Sequence, residues 1–168
     1  MLDKKQVSIY FSKFLRLLIN KKSLFFVSEA ILLPFIISIA FNANEVFNKY
    51  HITRTSSIMF ISAALWIGLF NSVTSICNER KVIKFEYQIK GLSLPSYVAA
   101  RVLTELVLCL AEAVLMMGTI VILYPHAQGN GSQIVLFGVT LFLVIFTSDM
   151  LALLISAFVK KSSQAMTA

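Results

Sequence analysis

Four long apolar runs separated by polar connections set the pattern of the chain. Residues 23–41, about 55–77, 98–124 and 134–159 are each long enough, as helices, to cross a hydrocarbon core of about 30 Å, which needs about 20 residues. Ahead of the first run, Val7, Phe11, Phe14 and Leu18 recur at helical spacing on one face, with Lys5, Ser12 and Arg16 opposite and Tyr10 and Lys13 at the borders. That pattern predicts a helix over 4–20 lying along the inner membrane surface, its bases near lipid headgroups. The whole reads as one all-α unit over 1–168, a polytopic membrane helix bundle of four transmembrane helices.

One stretch breaks the apolar pattern. CNERKVIKFEYQIKGLSLPSYVAAR, residues 77–101, gathers Glu79, Arg80, Lys81, Lys84, Glu86, Lys90 and Arg101 between two spans. From 79 to 91 it predicts a short helix, with Val82, Phe85 and Ile89 along one side and Arg80, Lys81, Lys84 and Gln88 along another. Glu86 precedes Lys90 by one helical turn in the favourable order, and Gly91 can stop the helix by turning left-handed. Ser93, Pro95 and Ser96 then provide a turn and a cap for the third span. A charged, ordered helix with an apolar stripe is a docking surface; a solvated linker carrying topogenic charge needs none of the stripe, the pair or the stop.

Composition agrees with the bilayer. At 58% hydrophobic and 14% charged residues with mean hydropathy +0.81, the chain is too apolar for a soluble domain. The net charge of +7 comes from bases at the ends of apolar runs, which excludes nucleic acid as the expected partner. Cys77 and Cys109 fall in apolar runs and are expected as buried thiols without a disulfide. No removable signal peptide is expected.

Charge sets the orientation. Lys4, Lys5, Lys13, Arg16, Lys21, Lys22, Arg80, Lys81, Lys84, Lys90, Arg101, Lys160 and Lys161 fall on one side, and Lys49 and Arg54 on the other. Both termini and the 79–91 helix are therefore expected in the cytoplasm. Residues 42–54 and 125–133 form the external connections, the second turning at Gly129, Asn130 and Gly131. Asn130, Gly131 and Ser132 also spell a glycosylation acceptor, though the turn needs the same residues.

Ionisable residues inside the apolar runs are expensive and invite a functional reading. Glu112 lies eleven residues beyond Arg101 and Asp149 eleven before Lys160, so both sit roughly 16 Å from the inner boundary at about 1.5 Å per residue. A carboxyl pair between the third and fourth spans is expected, with at least one member protonated, because two adjacent charges do not both persist in low dielectric. Its roles are structural glue or a polar element of a transport path. Glu105 shares that face nearer the inner interface, and Glu29 is similarly shallow.

Trp66, Ile67, Gly68, Asn71, Ser72, Glu79, Arg80, Glu86, Tyr87, Gly91, Leu92, Ser93, Ser96, Tyr97 and Arg101 together resemble the membrane domain of type 2 ABC exporters, closest to the G subfamily. The stretch from Gln6 to Phe41, with Leu33 and Pro34 in the first span, is similar to that family's connecting helix and first membrane helix. The resemblance implies a coupling helix containing Glu79, Arg80, Glu86, Tyr87 and Gly91, resting on a nucleotide-binding domain, with Arg16 of the connecting helix as partner for its carboxylates. It implies a dimer of permease subunits, homomeric or heteromeric, moving a lipid-like or amphipathic substrate. The face Phe60, Ala64, Ile67 and Asn71 of the second span is expected to line the substrate cavity, ordinary helix packing being the other reading. The family's domain has six spans, and residues 162–168 fall where the fifth would start. No Gly-x-x-x-x-Gly-Lys-Ser/Thr loop occurs among the 6 glycines, so ATP and Mg are expected on a partner ATPase or another domain of the polypeptide. A small proton-coupled exporter using Glu29 or Glu112, and a membrane scaffold recruiting a cytoplasmic partner, are the competing readings.

The charge bias fixes a labelling outcome. In intact cells, Lys84→Cys should be shielded from an impermeant thiol reagent added outside, and Gln128→Cys should react; the reverse pattern would overturn the orientation.

Overall fold

The computed structural model describes residues 4–21, 23–40, 50–91, 93–124 and 131–159. Among the described residues six helices follow one another: α1 (Lys4–Lys21), α2 (Ser23–Ala40), α3 (Tyr50–Ser72), α4 (Ser75–Lys90), α5 (Leu94–Leu123) and α6 (Gly131–Phe158). Among the described residues, α5, α6 and α3 with its continuation are long and apolar enough to cross a membrane, and Ser28–Ala40 is a shorter apolar segment. The molecule is an all-α polytopic membrane bundle. The turn at Gly129 and Asn130 lies outside the described residues, as do Lys49, Lys160 and Lys161.

Several boundaries differ from the apolar pattern, most of all around the second span. The second span starts at Tyr50 and ends at Ser72, where the pattern gave 55–77. A turn at Val73 and Thr74 follows, and α4 begins at Ser75, four residues ahead of the charges. Cys77 is consequently half-buried at the start of α4 instead of inside a span, whereas Cys109 is buried; both thiols are free. The break holds because side chains take up the turn's polar groups: the Arg101 guanidinium donates to the Ser75 hydroxyl, and the Cys77 N–H donates to Ser156 Oγ at 3.0 Å.

The core is a seam between α3 and α6, closed on one side by α5. Phe60, Ala64 and Ile67 of α3 meet Leu141 and Ile145 of α6 and Met116, Ile120 and Tyr124 of α5. Lipid is as apolar as these side chains, so close packing and interhelical hydrogen bonds, more than burial from water, hold such a seam. Gly68 marks its closest approach: a Cβ there would collide with Ser148 Oγ and the Ile145 carbonyl.

The amphipathic helix α1 differs from its expected pose. Its apolar face is turned into the protein: Phe14 joins Tyr97 and Ala100 of α5, with Val7, Tyr10, Phe11 and Ile83 around them; the side chain of Leu18 lies outside the described residues. Edge-on aromatic contacts fix the geometry, Phe14 to Tyr97 at 5.4 Å and Tyr10 to Tyr97 at 6.1 Å between centroids. Fully buried Ala100 leaves the space that Phe14 fills. Rings on this face gain specific partners from α5 that fluid acyl chains do not offer, which is why it faces protein.

The Gly68 contact yields a paired test. Gly68→Ala should destabilise the bundle by about 1–3 kcal/mol through overpacking against backbone, while Gly118→Ala, with open space at its Cβ, should be neutral or stabilising by up to about 1 kcal/mol. Thermal unfolding of the two variants in lipid nanodiscs reads both.

Candidate functional site

The first candidate is the platform α4 makes at one end of the bundle. Gly91 ends the helix at φ 62°, the left-handed region, and its N–H donates to the Glu86 carbonyl. Beyond the bonds of Ser75 and Cys77, further polar ties bind α4 to three other helices. The Arg80 guanidinium donates to the Ala157 carbonyl at the end of α6. Glu79 accepts from the Tyr97 hydroxyl of α5 at 2.8 Å. Glu86 accepts from Tyr10 at 2.9 Å and Lys13 at 3.1 Å, both on α1. Gln6 of α1 closes the ring, its amide oxygen accepting from the Ser93 N–H and hydroxyl at 3.1 Å, just ahead of α5.

These ties correct one pairing and add several residues. Glu86 meets Tyr10 and Lys13, whereas Arg16, the expected partner, is exposed on α1. The helical register decides this: Tyr10 and Lys13 are one turn apart at the border of the buried face, and Arg16 points away from it. The side chain of Lys90, the expected i+4 partner of Glu86, lies outside the described residues. Burial, the hydrogen bond to Glu86 and that carboxylate's charge push the Tyr10 hydroxyl up to about 12, so it stays a neutral donor throughout the physiological range. With Lys13 41% exposed and Glu86 13%, the ion pair is screened and contributes no more than about 1 kcal/mol; geometry, not strength, is its contribution. Ser75 and Ser156 carry no signal in the sequence; Tyr97 and Gln6 enter it only through the family resemblance, and Tyr10 and Lys13 only as border positions of the amphipathic helix.

Beyond its ties, α4 faces outward. Val82 is 49% exposed, Phe85 57%, Tyr87 55% and Ile89 66%, with Lys81 and Lys84 exposed among them. An apolar stripe edged with lysine is thus left uncovered by the bundle.

The second candidate is a polar cluster inside the membrane. Glu105, Glu112, Asp149, Asn71, Ser72 and Ser148 are all buried. Asn71 Nδ2 donates to Glu112 Oε1 at 2.7 Å, and Arg101 pairs with Glu105 one turn away at 2.5 Å. Asp149 stands beside Ser72 and Cys109, within electrostatic reach of Glu105 and Arg101, and Glu112 feels Asp149, Glu105 and Glu29. The expected Glu112–Asp149 pair is thus part of a larger cluster, and the nearest partner of Glu112 is an amide. Glu29, half-buried on α2, looks into a groove between α2 and α3. Among the described residues, no group of acidic, histidine or cysteine side chains is disposed to hold a metal.

The expected cavity face is corrected outright. Phe60, Ala64 and Ile67 are buried to within 1% and Asn71 to within 3%, all inside this chain's own α3–α6–α5 seam. Small Ala64 and Gly68 permit the α6 backbone to approach, so this face is packing. The exposed side of α3 is the other one, carrying Ile58, Met59, Trp66 and Phe70.

The described residues thus build a membrane helix bundle with α4 held against one end of it. Residues 5–168 match the ABC-2 type transporter membrane family, and the chain belongs to it. No curated protein and no solved structure matches the chain.

Arg101 pairs with Glu105 and lies within electrostatic reach of Asp149, and its side chain is 13% exposed against 2% for Glu105. Arg101→Met should destabilise the protein by about 3–5 kcal/mol, whereas Arg101→Met with Glu105→Met should recover most of that loss. A double-mutant cycle on thermal inactivation gives the coupling; additive losses would show that the pair is not the support of the cluster.

Proposed function

We propose that the chain is the membrane half of an ATP-driven exporter of the G-subfamily type, and that α4 is the coupling helix on which a nucleotide-binding domain rests. The observation that carries this is the double character of α4: tied to α1, α5 and α6 by Glu86, Glu79 and Arg80, yet exposing Val82, Phe85 and Ile89. A lever needs both, a fixed end and a free face. In this reading both termini are cytoplasmic, ATP and Mg are bound by the partner ATPase, and two permease subunits enclose the path. The substrate is lipid-like or amphipathic, since the exposed side of α3 is apolar and aromatic.

The buried cluster of Glu105, Glu112 and Asp149 favours a second reading, proton-coupled export. One preparation separates the two: vesicles holding the chain with its ATPase, energised by ATP or by an imposed pH gradient. The exporter reading expects ATP to drive efflux in the wild type and in Glu112→Gln/Asp149→Asn alike, and the gradient alone to drive it in neither. Efflux powered by the gradient without ATP, and lost in that variant, would establish the second reading. In the same vesicles Glu86→Ala should insert normally but lower ATP-driven efflux by about 2- to 30-fold, the range for mutations along a coupling network, with basal ATPase retained. Normal efflux with full substrate-stimulated ATPase would contradict the role given to α4.

A further inference from the structure

Between α2 and α3 runs a groove whose chemistry differs from the lipid-facing surface around it. Leu32, Leu33 and Ile36 form one wall and Trp66 and Phe70 the other, with Glu29 at one end. The Trp66 and Phe70 rings stack at 5.3 Å with planes 20° apart, making one continuous aromatic face. Glu29 Oε2 is buried and has no hydrogen-bond partner among the described residues. The groove lies toward the inner leaflet, because Glu29 is near the start of α2 and Phe70 near the inner end of α3.

A neutral acyl chain would satisfy the apolar walls and leave the carboxyl oxygen unmet. An anionic headgroup would add repulsion. A cation on an apolar body satisfies both: it supplies the opposite charge that a carboxylate in low dielectric lacks, and it meets the aromatic faces by cation–π attraction. The two parts of the site lie side by side, so charge and body must belong to one molecule.

We propose that this groove binds cationic amphiphiles, Glu29 holding the positive group and the Trp66–Phe70 face the apolar body, and that it admits them from the inner leaflet. The proposal rests on the exporter reading for its purpose but not for its test. Trp66 is the single tryptophan of the chain, so contact with the groove is read directly from its fluorescence. The chain with its ATPase is placed in phosphatidylcholine nanodiscs and titrated, without ATP, with a chain-brominated dodecyltrimethylammonium, whose bromine quenches tryptophan on contact. The same brominated chain carrying maltoside or sulfate serves for comparison, and Trp66→Phe gives the background from other tryptophans.

Saturable quenching by the cation is expected, at least about tenfold tighter than for the other two headgroups, and Glu29→Gln should weaken the cation about tenfold while leaving the maltoside unchanged. Equal quenching by all three headgroups would show ordinary acyl-chain contact and overturn the proposal. So would quenching by none, the result if a second copy covers the groove, or an unaltered affinity in Glu29→Gln. Because binding is read without ATP, its failure is separate from a failure of ATP to drive efflux, which would end the exporter reading and leave the groove standing.

Discussion

The last carbonyls of a helix have no partner within it, and at the C-terminal end of α6 that of Ala157 is taken by the Arg80 guanidinium of α4. One residue back, Ser156 Oγ accepts from the Cys77 N–H. These bonds make a short helix outside the bilayer an extension of a helix inside it. Glu79 on Tyr97 and Glu86 on Tyr10 and Lys13 extend the hold to α5 and α1. None is strong alone, and the exposed ion pair is screened. Their value is that they act on three different elements at once, so α4 has no direction in which to move without carrying the inner end of the bundle with it.

Inside the membrane the constraint is different. A buried polar group there meets either another polar group or hydrocarbon, so Asn71, Glu112, Glu105, Arg101 and Asp149 collect where α3, α5 and α6 converge. The close approach at Gly68 and Ala64 makes the collection possible, since bulkier residues would hold α6 away and leave Asp149 facing lipid. The cluster and the platform meet at Arg101, which pairs with Glu105, donates to Ser75 at the start of α4 and covers the Phe14 ring at 5.2 Å. One guanidinium thereby joins the membrane cluster, the turn and α1.

Much of this was legible in the residues. Apolar runs gave the helices, and the order of Glu79, Arg80 and Glu86 around an apolar stripe marked α4 as an ordered element. Gly91 announced its end. What was not legible depends on which face of a helix meets which neighbour. Phe60, Ala64, Ile67 and Asn71 share one face in the sequence, but periodicity does not distinguish a face lining a cavity from one pressed on another helix; the small residues Ala64 and Gly68 were the usable signal. The partner of Glu86 was missed for a related reason, because Arg16 and Lys13 carry the same charge and only the register of α1 against α5 chooses between them.

The central claim, that α4 and the spans form one rigid body, is tested by the distance between spin labels at Lys84→Cys on α4 and Leu136→Cys near the outer end of α6. The native Cys77 and Cys109 are replaced, and the protein is held with its ATPase in a preparation that hydrolyses ATP. The account predicts the same distance distribution in the nucleotide-free and ATP-trapped states. A distribution that shifts on trapping ATP, with α4 displaced relative to α6, would contradict it.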